Sequence, residues 1–149
     1  MAKKIGIISD THGMLRPEVL NVLKECDCIF HAADFTKPEI LDELRPLASI
    51  YAVQGNNDRE WAGNLAKVLH FKIEDVEFCM AHDRRDIGRH LGDAKVVIFG
   101  HTHKYFEEVI DGRLWLNPGS CGRSRFGGDV SMAVMIVNQG SYHVEKIAF

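Results

Sequence analysis

Seven side chains able to bind a metal stand in short polar clusters, each directly after an apolar run. Asp10 and His12 follow residues 5–9, Asp34 follows 28–30, Asn56 follows 50–53, His82 follows 76–80, and His101 and His103 follow 96–99. Together they offer two carboxylates, one amide oxygen and four imidazoles. Oxygen and nitrogen donors without thiolate suit Mn²⁺, Fe²⁺, Co²⁺, Ni²⁺ or Zn²⁺ rather than Ca²⁺ or a structural zinc held by cysteines. Seven donors exceed what one such ion takes, and match two ions sharing a bridging carboxylate. Two divalent ions against two carboxylates and a hydroxide leave a positive centre, which attracts anionic substrates. Phosphate esters are the natural class, because paired ions can hold a phosphoryl oxygen and generate the attacking hydroxide.

The elements that must position these groups follow from hydrophobic periodicity. The apolar run at 96–99 ends at Gly100, which predicts a buried strand delivering His101 and His103 at its carboxyl edge. Before it, strands at 5–9, 28–30 and 50–53 alternate with helices, one opening at Pro17 with Val19, Leu20 and Leu23 at helical spacing, the other over residues 38–44. That alternation predicts a parallel sheet with crossover helices, whose strand ends converge along one edge. The second half is richer in strands. Residues 68–73 and 76–80 flank Glu74-Asp75, a short helix is predicted over 86–91, and 106–110 and 113–116 flank the hairpin signal Asp111-Gly112. Residues 117–120 read as a turn, and 131–137 and 142–147 as a closing hairpin around 138–141. The pattern predicts an α/β front half joined to a strand-rich back half in one domain, residues 1–149.

The net charge of −3 argues against a general nucleic-acid coat or a membrane-surface binder. No apolar run approaches the roughly 20 residues of a membrane span, and no secretory leader is recognisable after Met1. The four cysteines form no CxxC pair and lie in or beside apolar stretches, as buried reduced thiols of a cytoplasmic protein would.

Taken in order, Asp10-x-His12, the Asp34 cluster, Gly55-Asn56-x-Asp58, His82 and Gly100-His101-x-His103 resemble the motifs of the calcineurin-like metallophosphoesterases. The likeness runs from Ile5 to about Ser120 and is greatest to the small single-domain bacterial and archaeal phosphodiesterase branch. It implies two packed mixed β-sheets flanked by helices, a four-layer α/β/β/α sandwich. It also implies a hydrolase with two divalent ions per chain, Mn²⁺ foremost, with Fe, Ni, Co or Zn as alternatives. By motif, one ion would take Asp10, His12, Asp34 and His103, and the other Asp34, Asn56, His82 and His101, with Asp34 bridging. Asn57 and Asp58 fall at the catalytic positions, and Asn56, Asn57 and Arg84 are candidates for binding substrate. Two departures stand out. Ala33 replaces the usual glycine before the bridging aspartate. Asn57 replaces the histidine that protonates the leaving group, and an amide cannot donate that proton.

The remaining polar residues have plainer alternatives. His31 fits either a hydrogen bond beside the metals or a satisfied structural role. Arg84, Arg85 and Arg89, and Arg123 and Arg125, fit either phosphate binding or a solvated surface. Asp58 fits a turn-capping or orienting role. The expected function is hydrolysis of a small phosphate diester by a hydroxide activated between two metals. A phosphomonoesterase or nuclease is the alternative chemistry, and a binding scaffold resembling a retromer subunit is the non-catalytic alternative. No nucleic-acid or membrane partner is expected, and a homo-oligomer is left open.

Overall fold

The computed structural model describes residues 2–34, 39–54, 65–88, 91–122 and 130–149. The chain opens with β1 (Lys3–Ile8), α1 (Pro17–Leu23), β2 (Cys28–His31), α2 (Glu39–Leu44) and β3 (Ser49–Ala52). It continues through β4 (Val68–Ile73), β5 (Val76–Ala81), α3 (Arg84–Ile87) and β6 (Val96–Ile98). Two hairpins follow, β7 (Tyr105–Ile110) with β8 (Arg113–Pro118), and β9 (Ser131–Asn138) with β10 (Ser141–Ala148).

These strands form two mixed five-stranded sheets, ordered β10-β9-β1-β2-β3 and β4-β5-β6-β8-β7. In the first, β1 runs parallel to β2 and antiparallel to β9. In the second, β5, β6 and β8 are mutually parallel. The expected α/β sandwich is therefore present. The polar clusters do not line the edge of one sheet, however: those after β1 and β2 belong to the first sheet, and those after β5 and β6 to the second.

Strand alternation separates the faces. Phe30, Tyr51, Phe71 and Phe78 meet between the sheets, with ring centroids from 4.7 to 5.5 Å apart. The opposite face of the first sheet receives α1 through Val19 and Leu23. Gly6 faces that helix, and a Cβ there would lie 2.5 Å from Leu23 Cδ2. On the outer face of the second sheet, Cys79, Ala81, Val97 and Phe99 pack with Ile87 and Ala94 in a smaller core.

Local chemistry sets the connections. Glu74-Asp75, Asp111-Gly112 and Gln139-Gly140 each form a two-residue hairpin turn with both φ angles positive, the twist that matches paired strands. The helix expected over 86–91 instead spans Arg84–Ile87. Asp83 caps it by accepting from Arg85 N, and Gly88, at φ +48°, ends it. Residues 117 and 118, expected in a turn, complete β8, because Asn117 and Pro118 still pair with Phe106 and Tyr105. All four cysteines are buried and unpaired with one another. No helix among the described residues is long and apolar enough to cross a membrane.

Candidate metal centre

Four loops, after β1, β2, β5 and β6, bring the candidate ligands together, and three of them are bent the same way. Asp10, His12, Ala33, Asp34, His101 and His103 all have φ between +48° and +76°. Side chains other than glycine rarely adopt this left-handed region, and it persists where the surroundings enforce it. Here Asp10 N donates to Ala33 O (2.9 Å), His12 N to Asp34 O (3.0 Å) and Gly100 N to His82 O (2.8 Å). The first two bonds join the loops after β1 and β2, and the third joins those after β5 and β6. Ala33, where a glycine is usual, adopts φ +76° with its methyl fully buried.

Asp10 is the hub. Its Oδ2 accepts from Ser9 Oγ (2.8 Å) and from His101 N (3.1 Å). Its Oδ1 is buried and accepts no hydrogen bond among the described residues. That oxygen instead faces His103 Nε2 at 3.5 Å, His12 Nε2 at 3.7 Å and His82 Nε2 at 3.8 Å. A buried carboxylate oxygen ringed by imidazole nitrogens, yet bonded to none, is arranged for a cation.

Two sets of ligating atoms result: Asp10, His12 and His103, and Asp10, Asp34 and His82. Asp10 occurs in both sets, whereas Asp34, the bridging carboxylate by motif, occurs in one. Asp34 Oδ2 lies 3.1 Å from His82 Nε2 and 4.0 Å from His12 Nε2, between the two sets. His82 Nδ1 donates to Ala32 O at 2.6 Å, which aims Nε2 inward and favours the tautomer a metal requires. Burial opposes charging the His82 ring, but the Asp34 hydrogen bond, the Asp10 and Asp34 charges and the Ala32 carbonyl outweigh it and raise its pKa to about 9. The site thus supplies strong negative potential to whatever occupies it.

His101 stands apart from both sets. Its ring meets that of His82 edge-on at 5.3 Å, and its Nε2 lies 3.9 Å from Asp83 Oδ2. Arg85 holds Asp83 in place, and their hydrogen bond draws the Asp83 carboxyl down to about 2. His31 is structural: its Nδ1 accepts from Ala33 N (3.0 Å), so its Nε2 donates to Thr11 Oγ1 (3.0 Å). Burial, foremost, and the neighbouring His82 keep it neutral. Arg84, a candidate for binding substrate, belongs to neither ligand set; its guanidinium lies 4.6 Å above the Trp115 ring, in the wall of a pocket that His101 also lines. Asn56, Asn57 and Asp58, with Arg89, Arg123 and Arg125, lie outside the described residues.

Three supporting residues escape the sequence patterns. Ser9 fixes Asp10, and Asp83 faces His101. Asn117 donates to Gly100 O and Thr102 Oγ1, bracing the loop that carries both histidines. A capping aspartate before Arg84-Arg85 was the available signal for Asp83. Ser9 carried none beyond being polar at the end of an apolar run, and Asn117 stood out only as part of the stretch Asn117-Pro118-Gly119-Ser120, which is typical of the resembled branch. Gly100 is required by close approach, since a Cβ there would lie 2.1 Å from Ser9 Oγ and 2.9 Å from Asp10 Oδ2.

Comparison with known proteins agrees with this architecture. The family model for the calcineurin-like phosphoesterase superfamily domain matches residues 4–140. A probable metallophosphoesterase of Methanothermobacter thermautotrophicus is 38% identical over 131 residues, covering 78% of this chain and 76% of the relative. A phosphodiesterase of Methanocaldococcus jannaschii is 31% identical over 140 residues, covering 79% and 84%. Among solved structures, a novel archaeal phosphodiesterase superposes with a TM-score of 0.82 at 27% identity, covering 98% of this chain and 99% of that one. Vacuolar protein sorting 29 from Cryptosporidium parvum superposes at 0.80 with 17% identity, covering 99% and 98%, a likeness of fold alone. Matched along most of its length and carrying the ligand loops in order, the chain belongs to the calcineurin-like phosphoesterase superfamily.

Proposed function

We propose that this chain is a dinuclear, divalent-metal-dependent phosphodiesterase. The observation that carries the proposal is Asp10 Oδ1, buried, without a hydrogen bond among the described residues, and facing three imidazole nitrogens. Asp10, His12 and His103 would hold one ion, and Asp10, Asp34 and His82 the other. Asn56 and His101 are further ligands by motif. The donor set fits Mn²⁺, with Fe, Ni, Co and Zn as alternatives. When bound, such ions supply Lewis acidity toward a phosphoryl oxygen and a water acidified into a nucleophile.

The chain's own residues do the rest. Ser9 and His101 N orient Asp10, and Ala32 O fixes the His82 tautomer. The His31–Thr11 pair holds the first two loops against each other. Two aspartates against two divalent ions leave the centre cationic, which favours the monoanion of a diester over an over-neutralising dianion. Asn57 cannot protonate a leaving group, so esters with good leaving groups are the substrates expected to turn over readily.

The test is hydrolysis of bis(4-nitrophenyl) phosphate and of 4-nitrophenyl phosphate by Mn²⁺-loaded and chelator-treated protein. Metal-dependent turnover with higher kcat/KM on the diester is expected. A monoester preference would replace the phosphodiesterase with a phosphomonoesterase. Metal binding without turnover of either ester would favour the scaffold reading, with which the Vps29-like fold is compatible.

A further inference from the structure

Beside His101 the surface opens into a pocket of about 510 Å³, lined among others by Arg84, Phe99, His101, Lys104, Tyr105 and Phe106. It begins at the backbone that touches the metal ligands, since Gly100 and His101 belong to its wall and His101 N donates to Asp10 Oδ2. From there it runs over the outer face of the second sheet. The Arg84 guanidinium is stacked 4.6 Å from the Trp115 ring centre, 5.6 Å from Phe99 and 5.7 Å from Phe106. Arg84 is exposed, so a guanidinium this close to aromatic rings can still be approached by a further ring from its open side. The Tyr105 hydroxyl donates to Glu107, and Lys146 Nζ lies 5.0 Å from the centre of its ring. Arg84 and Lys104 are cationic and add to the attraction for an anionic ester.

We infer that this pocket receives one ester arm of the substrate and selects diesters in which that arm carries a planar aromatic ring. The inference rests on the phosphodiesterase proposal, because a phosphate at the clusters is what brings an arm to the pocket mouth beside His101. The volume suits a ring larger than phenyl, such as a nucleobase with its sugar. Arg84 and Phe106 act as specificity residues. They hold the arm by stacking, while water attacks phosphorus and one P–O bond breaks, yielding a monoester and an alcohol.

Calorimetric titration of the Mn²⁺-loaded protein with diphenyl phosphate and with diethyl phosphate tests this. The aryl diester should bind at least about tenfold more tightly. The ratio should collapse toward one in Arg84→Gln and in Phe106→Leu, the second of which keeps an apolar side chain of similar bulk. Manganese content and circular dichroism verify that each variant is folded. A ratio near one in the unaltered chain, or a ratio that survives both substitutions, overturns the inference. Hydrolysis of bis(4-nitrophenyl) phosphate, followed in parallel, separates the two proposals. Turnover without an aryl preference removes the pocket and leaves the phosphodiesterase. A mutation-sensitive aryl preference without turnover keeps the pocket and removes the phosphodiesterase.

Discussion

Gly100→Ala is the substitution whose effect follows most directly from the site's geometry. The new Cβ would lie 2.1 Å from Ser9 Oγ, 1.3 Å short of the 3.4 Å at which ordinary van der Waals contact begins. Ser9 is fully buried, so its hydroxyl can escape only by leaving Asp10 Oδ2 and Ala32 O. Losing a hydrogen bond to a carboxylate costs about 1.5–3 kcal/mol, and residual overpacking about 1–3 kcal/mol. The two are not additive, so about 3 kcal/mol is expected, a fall in Tm of about 6–12 °C for a chain of this length. Thermal and denaturant unfolding in excess chelator measure it without the metal. Ser9→Ala removes the obstructing hydroxyl, leaving contacts of 2.9 Å to Asp10 Oδ2 and 3.1 Å to Ser9 Cβ. The double variant should therefore be more stable than the sum of the single effects implies, by at least about 1 kcal/mol. Strict additivity would refute the argument that Ser9, Asp10 and Gly100 form one packed unit.

Other expectations concern the metals and the reaction. Asp10→Ala should abolish binding of both ions, because Asp10 belongs to both ligand sets, whereas His82→Ala should leave about one ion per chain; elemental analysis distinguishes them. In metal-free protein the elevated His82 pKa adds stability that is complete below pH 6.5 and lost as pH rises through about 9, so Tm should fall over that window. His31, kept neutral by burial, acts in the opposite window and costs stability below pH 6.5. Metal loading at neutral pH should release about one proton from His82, measured by calorimetry in buffers of different ionisation enthalpy. Asn57→His should speed alkyl diesters more than aryl diesters, reducing the dependence of kcat/KM on leaving-group pKa; an unchanged slope would mean that position 57 has no access to the leaving oxygen.

What was legible in the sequence was whatever local periodicity encodes. The strands carrying Phe30, Phe78, Val96 and Ile98, and the turn at Asp111-Gly112, follow from apolar runs and turn chemistry alone. The candidate ligands stood out because each polar cluster directly follows an apolar run. Their assignment was less legible, because it depends on loop dihedrals and on contacts between sheets. That Asp10 joins both sets follows from Ser9 and His101 N seizing its other oxygen, and those partners stand 1 and 91 residues away. Asn117 read as a turn former, yet it ends a strand and braces a loop 17 residues earlier in the chain. The three-residue β6 could not announce that the strands beside it would carry ligands from a different sheet than β1.

The left-handed loops have a consequence for which ion the site accepts. Backbone bonds from Asp10 to Ala33, from His12 to Asp34 and from Gly100 to His82 tie those segments together through peptide groups rather than through the ligand atoms. A site stiffened in this way would resist widening toward the longer, more numerous bonds that Ca²⁺ prefers. For a metal held there, discrimination by ionic radius would fall to the peptide backbone, while the imidazoles and carboxylates would set the hardness of the site. Loosening one clamp should broaden the range of ions accepted before it weakens the binding of any one of them.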